Sequence, residues 1–375
     1  MPPTSHLKHP RLIALDVFRG MTLVLMMIVN NPGDWGAVYA PLLHADWHGC
    51  TLTDLVFPFF LFIVGVAIPF ALGSRKDAGT ADPALYRKII IRVILIFLIG
   101  LVLSGFPYYN LTTIRIPGVL QRIAIVYGVV AILFLKVSVR GLWISLAICL
   151  AGYWFLMTKL PVPGYGYASL QPETNLGAWL DYTLLKGHLW SSSRVWDPEG
   201  ILSTLPAFGT GILGLWTGIK LRSKDQLNEN LHVIFFTGAV LMLLGYVWDM
   251  SFPINKKIWT SSYVLFTGGM AMLTLASLIW LIDIKGFKNW TRHFIYFGMN
   301  SMVVFVGSGL LARILGLIKW YDGGKTTNLK SFLYRFYQYD WMPLKLSSLL
   351  FAFSLMVVFY LFLKWLYHKK WFWRL

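Results

Sequence analysis

The sequence predicts an all-α fold: a polytopic transmembrane bundle of about ten helices with both termini in the cytoplasm. Three observations predict it. Apolar residues make up 57% of the chain and charged residues only 13%, against about 25% charged in an ordinary soluble domain. Mean hydropathy is +0.62. The apolar residues also gather into runs of the roughly 20 residues that a bilayer-crossing helix needs.

The runs follow one another with little between them. Leu12–Val29 comes after a polar segment without a small-residue cleavage site, so it should stay as an anchor, with no soluble domain ahead of it. Leu55–Leu72 follows across a polar loop, and Ile89–Phe106 follows a cationic one holding Arg75, Lys76, Arg87 and Lys88. Gly118–Leu135 and Leu142–Thr158 are separated by a short connection with Lys136 and Arg140. Ile201–Ile219 and His232–Trp248 are divided by Lys220, Arg222 and Lys224. Trp259–Ile282 and Phe294–Ile318 are divided by Lys285, Lys288 and Arg292. Leu344–Tyr367 closes the set ahead of Lys369, Lys370 and Arg374.

Orientation follows from the cations, because short cytoplasmic loops retain Lys and Arg. The cation-rich connections alternate with poor ones, and both termini, with Lys8 and Arg11 at the front, fall in the rich set. The opposite side then carries Asn31 to Thr53, which has no Lys or Arg, and two longer loops rich in Gly, Pro, Trp, Tyr and Asp. The chain reads as one domain, 1–375, with larger extracytoplasmic loops near 30–54, 159–200 and 319–343. The net charge of +17 is explained by these clusters, so the expected partner is the lipid bilayer and not nucleic acid. Cys50 falls in an outer loop and Cys149 inside a span, which argues against a disulfide.

This topology puts nearly every unusual polar residue on one side. The segment from Asn30 to Pro58 holds His44, Asp46, His48 and Asp54 between two spans. Titratable groups at a membrane boundary are costly and therefore functional candidates. His44 suits proton exchange near neutral pH or attack on a carbonyl carbon, and Asp54 suits orienting it. The bland reading, side chains that simply face water, carries about equal weight. A metal site is a third reading, since His44 and His48 share a face if the stretch is helical; H-E-x-x-H is not matched and no third ligand is evident, so no metal is expected.

Arg122, with Gln121 beside it, has no local partner, and its planar donor fork suits a cofactor phosphate; a buried Arg held by helix-end carbonyls is an equal alternative. Asp16 and Arg19, three apart, are read first as a structural pair. Arg19 joins Arg122 and Gln121 as a candidate for cofactor binding. W-D-P-E-G, with Asp197 and Glu199, and F-P-I-N-K-K-I-W, with Asn255 and Lys256, mix aromatic, acidic, amide and basic groups as a sugar site does, although capping alone would account for Asp197.

Taken in order, L-D-V-F-R-G-M, M-I-V-N-N, H-A-D-W-H-G-C-T-L-T-D-L-V-F-P-F-F, R-I-P-G-V-L-Q-R, D-P-E-G-I-L-S-T-L-P, F-P-I-N-K-K-I-W-T-S-S-Y and F-G-M-N-S resemble the heparan-alpha-glucosaminide N-acetyltransferase family, the bacterial NagX-like members most closely. The resemblance implies an acyltransferase that moves acetyl from cytosolic acetyl-CoA, as co-substrate, to the amino group of a glucosamine across the bacterial cytoplasmic (inner) membrane. It implies His44 as active-site histidine, Asp54 as its aspartate and Asn30 as the asparagine ending the first span, a candidate oxyanion donor. It also supports His48, Asp197, Glu199, Asn255, Lys256 and Asn300 as acceptor-binding candidates. His48 replaces an asparagine of the lysosomal relatives, the Asn30–His44 spacing is longer, and their extra lumenal domain is not found. A small amino sugar therefore fits better than heparan sulfate. A homodimer is compatible with all of this. The competing classes are a sugar transporter that uses the same polar site for binding and proton coupling, and a structural protein that would not need His44.

Overall fold

The computed structural model describes residues 12–79, 83–223, 227–322 and 325–373; Lys8, Arg11, Lys224 and Arg374, used above for orientation, lie outside them. In chain order the helices are α1 (Ile13–Asn30), α2 (Val56–Asp77), α3 (Pro83–Gly105), α4 (Val119–Lys136), α5 (Val139–Lys159), the short α6 (Leu176–Leu185), α7 (Thr204–Arg222), α8 (Leu227–Asp249), α9 (Ser261–Ile279, continued by a π-helical turn, Trp280–Ile284), α10 (Thr291–Met299) and α11 (Ser301–Leu317). A hairpin of β1 (Lys319–Asp322) and β2 (Lys325–Asn328) follows, then α12 (Leu329–Arg335) and α13 (Leu344–His368).

Among the described residues eight helices are long and apolar enough to cross a membrane; α10 and α11, bent by 77° at their junction, make a ninth if the pair is one broken span and not a re-entrant loop. The chain is an integral membrane protein of all-α class. Burial sorts the helices into layers: 61% of the most apolar window of α2 and of α9 is buried, against 22% for α3 and 28% for α5 and α8. The outer helices thus turn apolar side chains such as Ile94, Ile148 and Phe236 outward, where only lipid makes that favourable.

The remaining predicted stretch, Ile201–Ile219, is also a helix, but of another kind. It starts at Thr204 because residues 197–203 are tied into turns, and α7 is buried along nearly its whole length. Its glycines replace apolar bulk. A Cβ on Gly214 would lie 2.1 Å from the carbonyl oxygen of Phe62, and one on Gly218 2.4 Å from that of Val66; across the interface, a Cβ on Gly65 would lie 2.2 Å from that of Gly211. The α2 and α7 backbones therefore touch, as in small-xxx-small helix pairs.

Chain ends are satisfied by tertiary contacts. The π-helical turn after α9 aims Asp283 at the start of α1, where its two oxygens accept from the amides of Ile13 and Ala14, both at 3.1 Å. These are among the donors that every helix leaves unpaired. The two long loops contain more structure than their composition suggested. α6 is capped by Asn175, which accepts from the Ala178 amide at 2.9 Å, and β1 pairs antiparallel with β2 in the register Trp320↔Thr327.

Candidate active site

The segment between α1 and α2 is irregular, and Asp54 organises it. The Asp54 side chain is 1% exposed. Its Oδ2 accepts from the amides of Ala45 and Thr51, each at 3.0 Å. The Thr51 hydroxyl lies 3.0 Å from the same oxygen and 2.6 Å from the carbonyl of Leu43. Tyr263 of α9 donates to the Asp54 carbonyl at 2.5 Å. These bonds fold residues 43–54 back on themselves and leave Oδ1 for one partner, the Nδ1 of His44 at 2.6 Å.

A carboxylate only accepts, so Nδ1 carries the proton and Nε2 is left with its lone pair. The His44 side chain is 44% exposed, and the same contact that fixes its tautomer stabilises an imidazolium. Cys50 lies in the same loop and is not a competing nucleophile. Burial, with the Asp54 charge adding, pushes its thiol up to about 12, so little thiolate exists at neutral pH.

His48 does not join His44. The stretch is not helical, so no i, i+4 face forms, and His48 Nδ1 accepts from Asn255 Nδ2 at 3.4 Å. Partial desolvation lowers the pKa of His48, with Asp249 opposing. Asn255 is fully buried and organises its own loop, with Oδ1 accepting from the Ile258 amide at 3.1 Å. Gly49, at φ +108°, passes under that loop and donates to the Ile254 carbonyl at 2.7 Å, a conformation glycine adopts at least cost. Lys257 donates to the Asp46 carbonyl, and Trp47 donates to Leu170 at 2.9 Å. Loops 43–54, 159–203 and 252–260 thereby form one cap. Among the described residues no metal-binding group of His, Cys, Asp or Glu assembles.

Beneath the cap lies a charge network that sequence reasoning only half found. Asp197 takes Arg115 on both oxygens, at 2.8 Å from Nε and 2.5 Å from Nη2, and Glu199 takes the same Nη2 at 2.5 Å. Arg115 is 82 residues away from Asp197 in a loop, where its only signal was that it is the one cation between Pro107 and Pro117. Burial pushes the Glu199 carboxyl up, but Arg115, Lys256 and Arg122 outweigh it and hold it below its usual range. Asp181, also missed, accepts from the amides of Ile201 at 2.8 Å and Asp197 at 3.3 Å.

Two cavities approach this region. The first, about 140 Å³, is lined by His44, Asn30, Thr22, Thr53, Glu199 and Lys256, together with apolar side chains of α1, α2, α4 and α11. Four predicted residues, His44, Asn30, Glu199 and Lys256, thus line one cavity. Asp54 stands behind His44, and Asp197 behind Glu199.

The second cavity, about 540 Å³, opens at the end of the bundle where α1 starts and the chain ends; Asp16, Arg19, Arg92, Tyr127, Ser301 and Trp373 line it. Asp16 and Arg19 do pair, at 3.4 Å. Arg92 lies over the Tyr127 ring at 4.6 Å, and its buried Nε has no hydrogen-bond partner.

Three expected residues are placed elsewhere. Arg122 is 1% exposed and lines neither cavity. It donates to Gly200 O at 3.1 Å and to the Ser203 hydroxyl, over the Trp259 ring at 5.2 Å. It braces the cap from below, and two of its buried nitrogens, Nε and Nη1, have no hydrogen-bond partner. Gln121, buried against Gly100 and Gly118, likewise lines neither cavity. Asn300 sits at the α10–α11 break beside the second cavity, accepting from the Trp373 amide at 3.1 Å, so the structure separates it from the acceptor-binding set.

A family model described as heparan-alpha-glucosaminide N-acetyltransferase, catalytic, matches residues 11–245. The chain is similar to the heparan-alpha-glucosaminide N-acetyltransferase of Homo sapiens, 35% identical over 354 residues, covering 80% of this chain and 52% of that protein. It is 34% identical over 367 residues to the Mus musculus protein of the same name, covering 83% and 55%. The chain spans about half the length of these curated relatives. With the motifs from Asp16 to Pro206 inside the matched region, the chain belongs to the heparan-alpha-glucosaminide N-acetyltransferase catalytic family.

Proposed function

We propose that this protein is a transmembrane acetyltransferase that takes acetyl from acetyl-CoA in the second cavity and delivers it to the amino group of a glucosamine-type sugar at His44. The carrying observation is the His44–Asp54 pair, at 2.6 Å, on a cavity that shares Phe60 in its wall with a second cavity nearer the other end of the bundle.

Its volume, about 540 Å³, falls in the range of roughly 300–1,000 Å³ common for ligand sites. Its cations Arg19 and Arg92 suit CoA phosphates, and the N-terminal end of α11, where Ser301 and Met302 line the cavity, adds positive potential. The cation-rich loops lie at this end, so by the positive-inside rule it faces the cytoplasm and His44 faces the other compartment.

In the reaction the sugar amine attacks the thioester carbonyl. The C–N bond forms, the C–S bond breaks, His44 Nε2 takes the amine proton, and the CoA thiolate leaves into the second cavity and is protonated there. In this reading Asn30 donates to the developing oxyanion, and Glu199 attracts the sugar ammonium, which loses its first proton to solvent before the amine attacks. The test is transfer of labelled acetyl from acetyl-CoA to glucosamine by purified protein. Product from the native chain and none from a folded His44→Ala variant is expected; equal product from both removes His44 from the mechanism.

A further inference from the structure

The two cavities run along the same helices and change over within one turn on each. On α1 the wall passes from Arg19 in the second cavity to Thr22 in the first; on α11 it passes from Met302 to Phe305; on α4 from Leu120 back to Val119. Three residues of helix are about 4.5 Å. On α2 a single residue belongs to both walls: Phe60. Its ring is half-buried and packs against both of the large hydrophobic clusters of the bundle, and α2 is fixed from behind by its backbone contact with α7.

We propose that Phe60 is the partition between the donor and acceptor chambers and the residue that limits which acyl chains reach His44. This rests on the acetyltransferase reading. The thioester arm must pass the ring for its carbonyl carbon to meet the amine, and whatever chain the acyl group carries must then fit on the His44 side. The free volume there is about 140 Å³ and its floor is apolar, with Leu23, Met26, Phe57 and Val119 beside Phe60. An acetyl group needs little of that room; each added methylene presses on Phe60. The same ring, at rest, separates the solvent of one chamber from that of the other. The Phe60 side chain carries no charged or hydrogen-bonding group, so it is a positioning and selectivity residue.

Two measurements test this, one of them independent of catalysis. In the first, kcat/KM is compared for acetyl-, propionyl- and butyryl-CoA with an amino-sugar acceptor. Phe60→Ala should raise the butyryl-to-acetyl ratio at least tenfold. Phe60→Trp should lower acetyl transfer at least tenfold while acetyl-CoA binding, measured by titration, is unchanged. An unchanged ratio in the first variant with normal transfer in the second overturns the proposal.

In the second, Thr22→Cys is introduced after Cys50→Ser and Cys149→Ser, and the new thiol is labelled with a small charged methanethiosulfonate added to one face of sealed vesicles. From the face of the second cavity, labelling should be at least tenfold faster in Phe60→Ala than with Phe60 intact. Equal rates overturn the partition. Because labelling needs no turnover, failure of the native chain to transfer acetyl would count against the acetyltransferase reading alone.

Discussion

Asp54→Asn is a single-atom change whose outcome the hydrogen-bond pattern dictates. An amide keeps one acceptor and gains two donors. Placed with its NH2 at the Oδ2 position, it would face the amides of Ala45 and Thr51, leaving two buried donors unpaired at about 1–3 kcal/mol each. Placed the other way, its oxygen keeps both bonds and its NH2 meets only His44 Nδ1. The second orientation wins by roughly 2–6 kcal/mol, more than the small cost of moving a proton between the two nitrogens of an imidazole.

His44 then accepts at Nδ1 and carries its proton on Nε2, the tautomer that can take no proton from the amine. The expected loss in acetyl transfer is on the order of 10⁴-fold, as for the equivalent change in a Ser-His-Asp triad. The bonds that remain are neutral instead of charge-assisted, so the stability loss is about 1–3 kcal/mol. The assay is initial rate of labelled acetyl transfer at saturating acetyl-CoA, with thermal unfolding of the same detergent preparation. An Asp54→Asn protein that stays within tenfold of the native rate would show that the tautomer of His44 does not matter and refute the reasoning.

Three further outcomes are expected. Arg92→Ala removes a cation whose buried Nε has no protein partner; if that nitrogen serves a phosphate, about 1.5–3 kcal/mol raises the KM for acetyl-CoA roughly 10–100-fold with kcat little changed, and an unchanged KM would place the phosphates elsewhere. Burial, with Asp197 adding, pushes the Asp181 carboxyl up from 3.8 to about 7, so between those values the folded chain binds more protons than the unfolded one and stability falls as pH rises, levelling above about 7. Asp181→Asn should flatten that slope in melting curves taken from pH 5 to 8, and a slope that survives assigns it to another group. Gly214→Ala places a methyl 2.1 Å from the Phe62 carbonyl oxygen; although alanine favours helix by about 1 kcal/mol, the overlap should cost a net 1–3 kcal/mol or so, read as a lowered melting temperature, whereas a melt unchanged from native would mean that α2 and α7 can slide apart.

The helices were legible because a lipid solvent imposes one strong rule, and each of the ten apolar stretches is helical. His44 and Asp54 were legible for a related reason: ten residues apart in a loop poor in Lys and Arg between two spans, they are local enough for spacing to suggest a pair. What could not be read depends on loops meeting from distant parts of the chain. Arg115 reaches Asp197, Lys257 reaches Asp46 and Tyr263 reaches Asp54 only once helices far apart in sequence are packed. Arg122 shows the same limit: a polar residue in an apolar run announces that it has a partner, not which one, and here the partners are Gly200 and Ser203. α7 shows the limit of composition itself. Its glycines lower its hydropathy, yet they are what lets it lie against α2 at the centre of the bundle.

The one-turn boundary at Phe60 also has an electrical meaning. A bilayer spreads its potential across a hydrocarbon layer of about 30 Å, but water and ions entering two chambers that end a turn apart confine most of the drop to a few ångströms of protein. A charge carried across that layer feels nearly the whole potential, about 2.3 kcal/mol per 100 mV. In the proposed reaction the sugar amine gives up its proton on one side of the layer and the CoA thiolate gains one on the other, so each turnover moves charge through the field. The rate in sealed, energised vesicles should therefore depend on voltage, in a way that detergent-solubilised protein can never reveal.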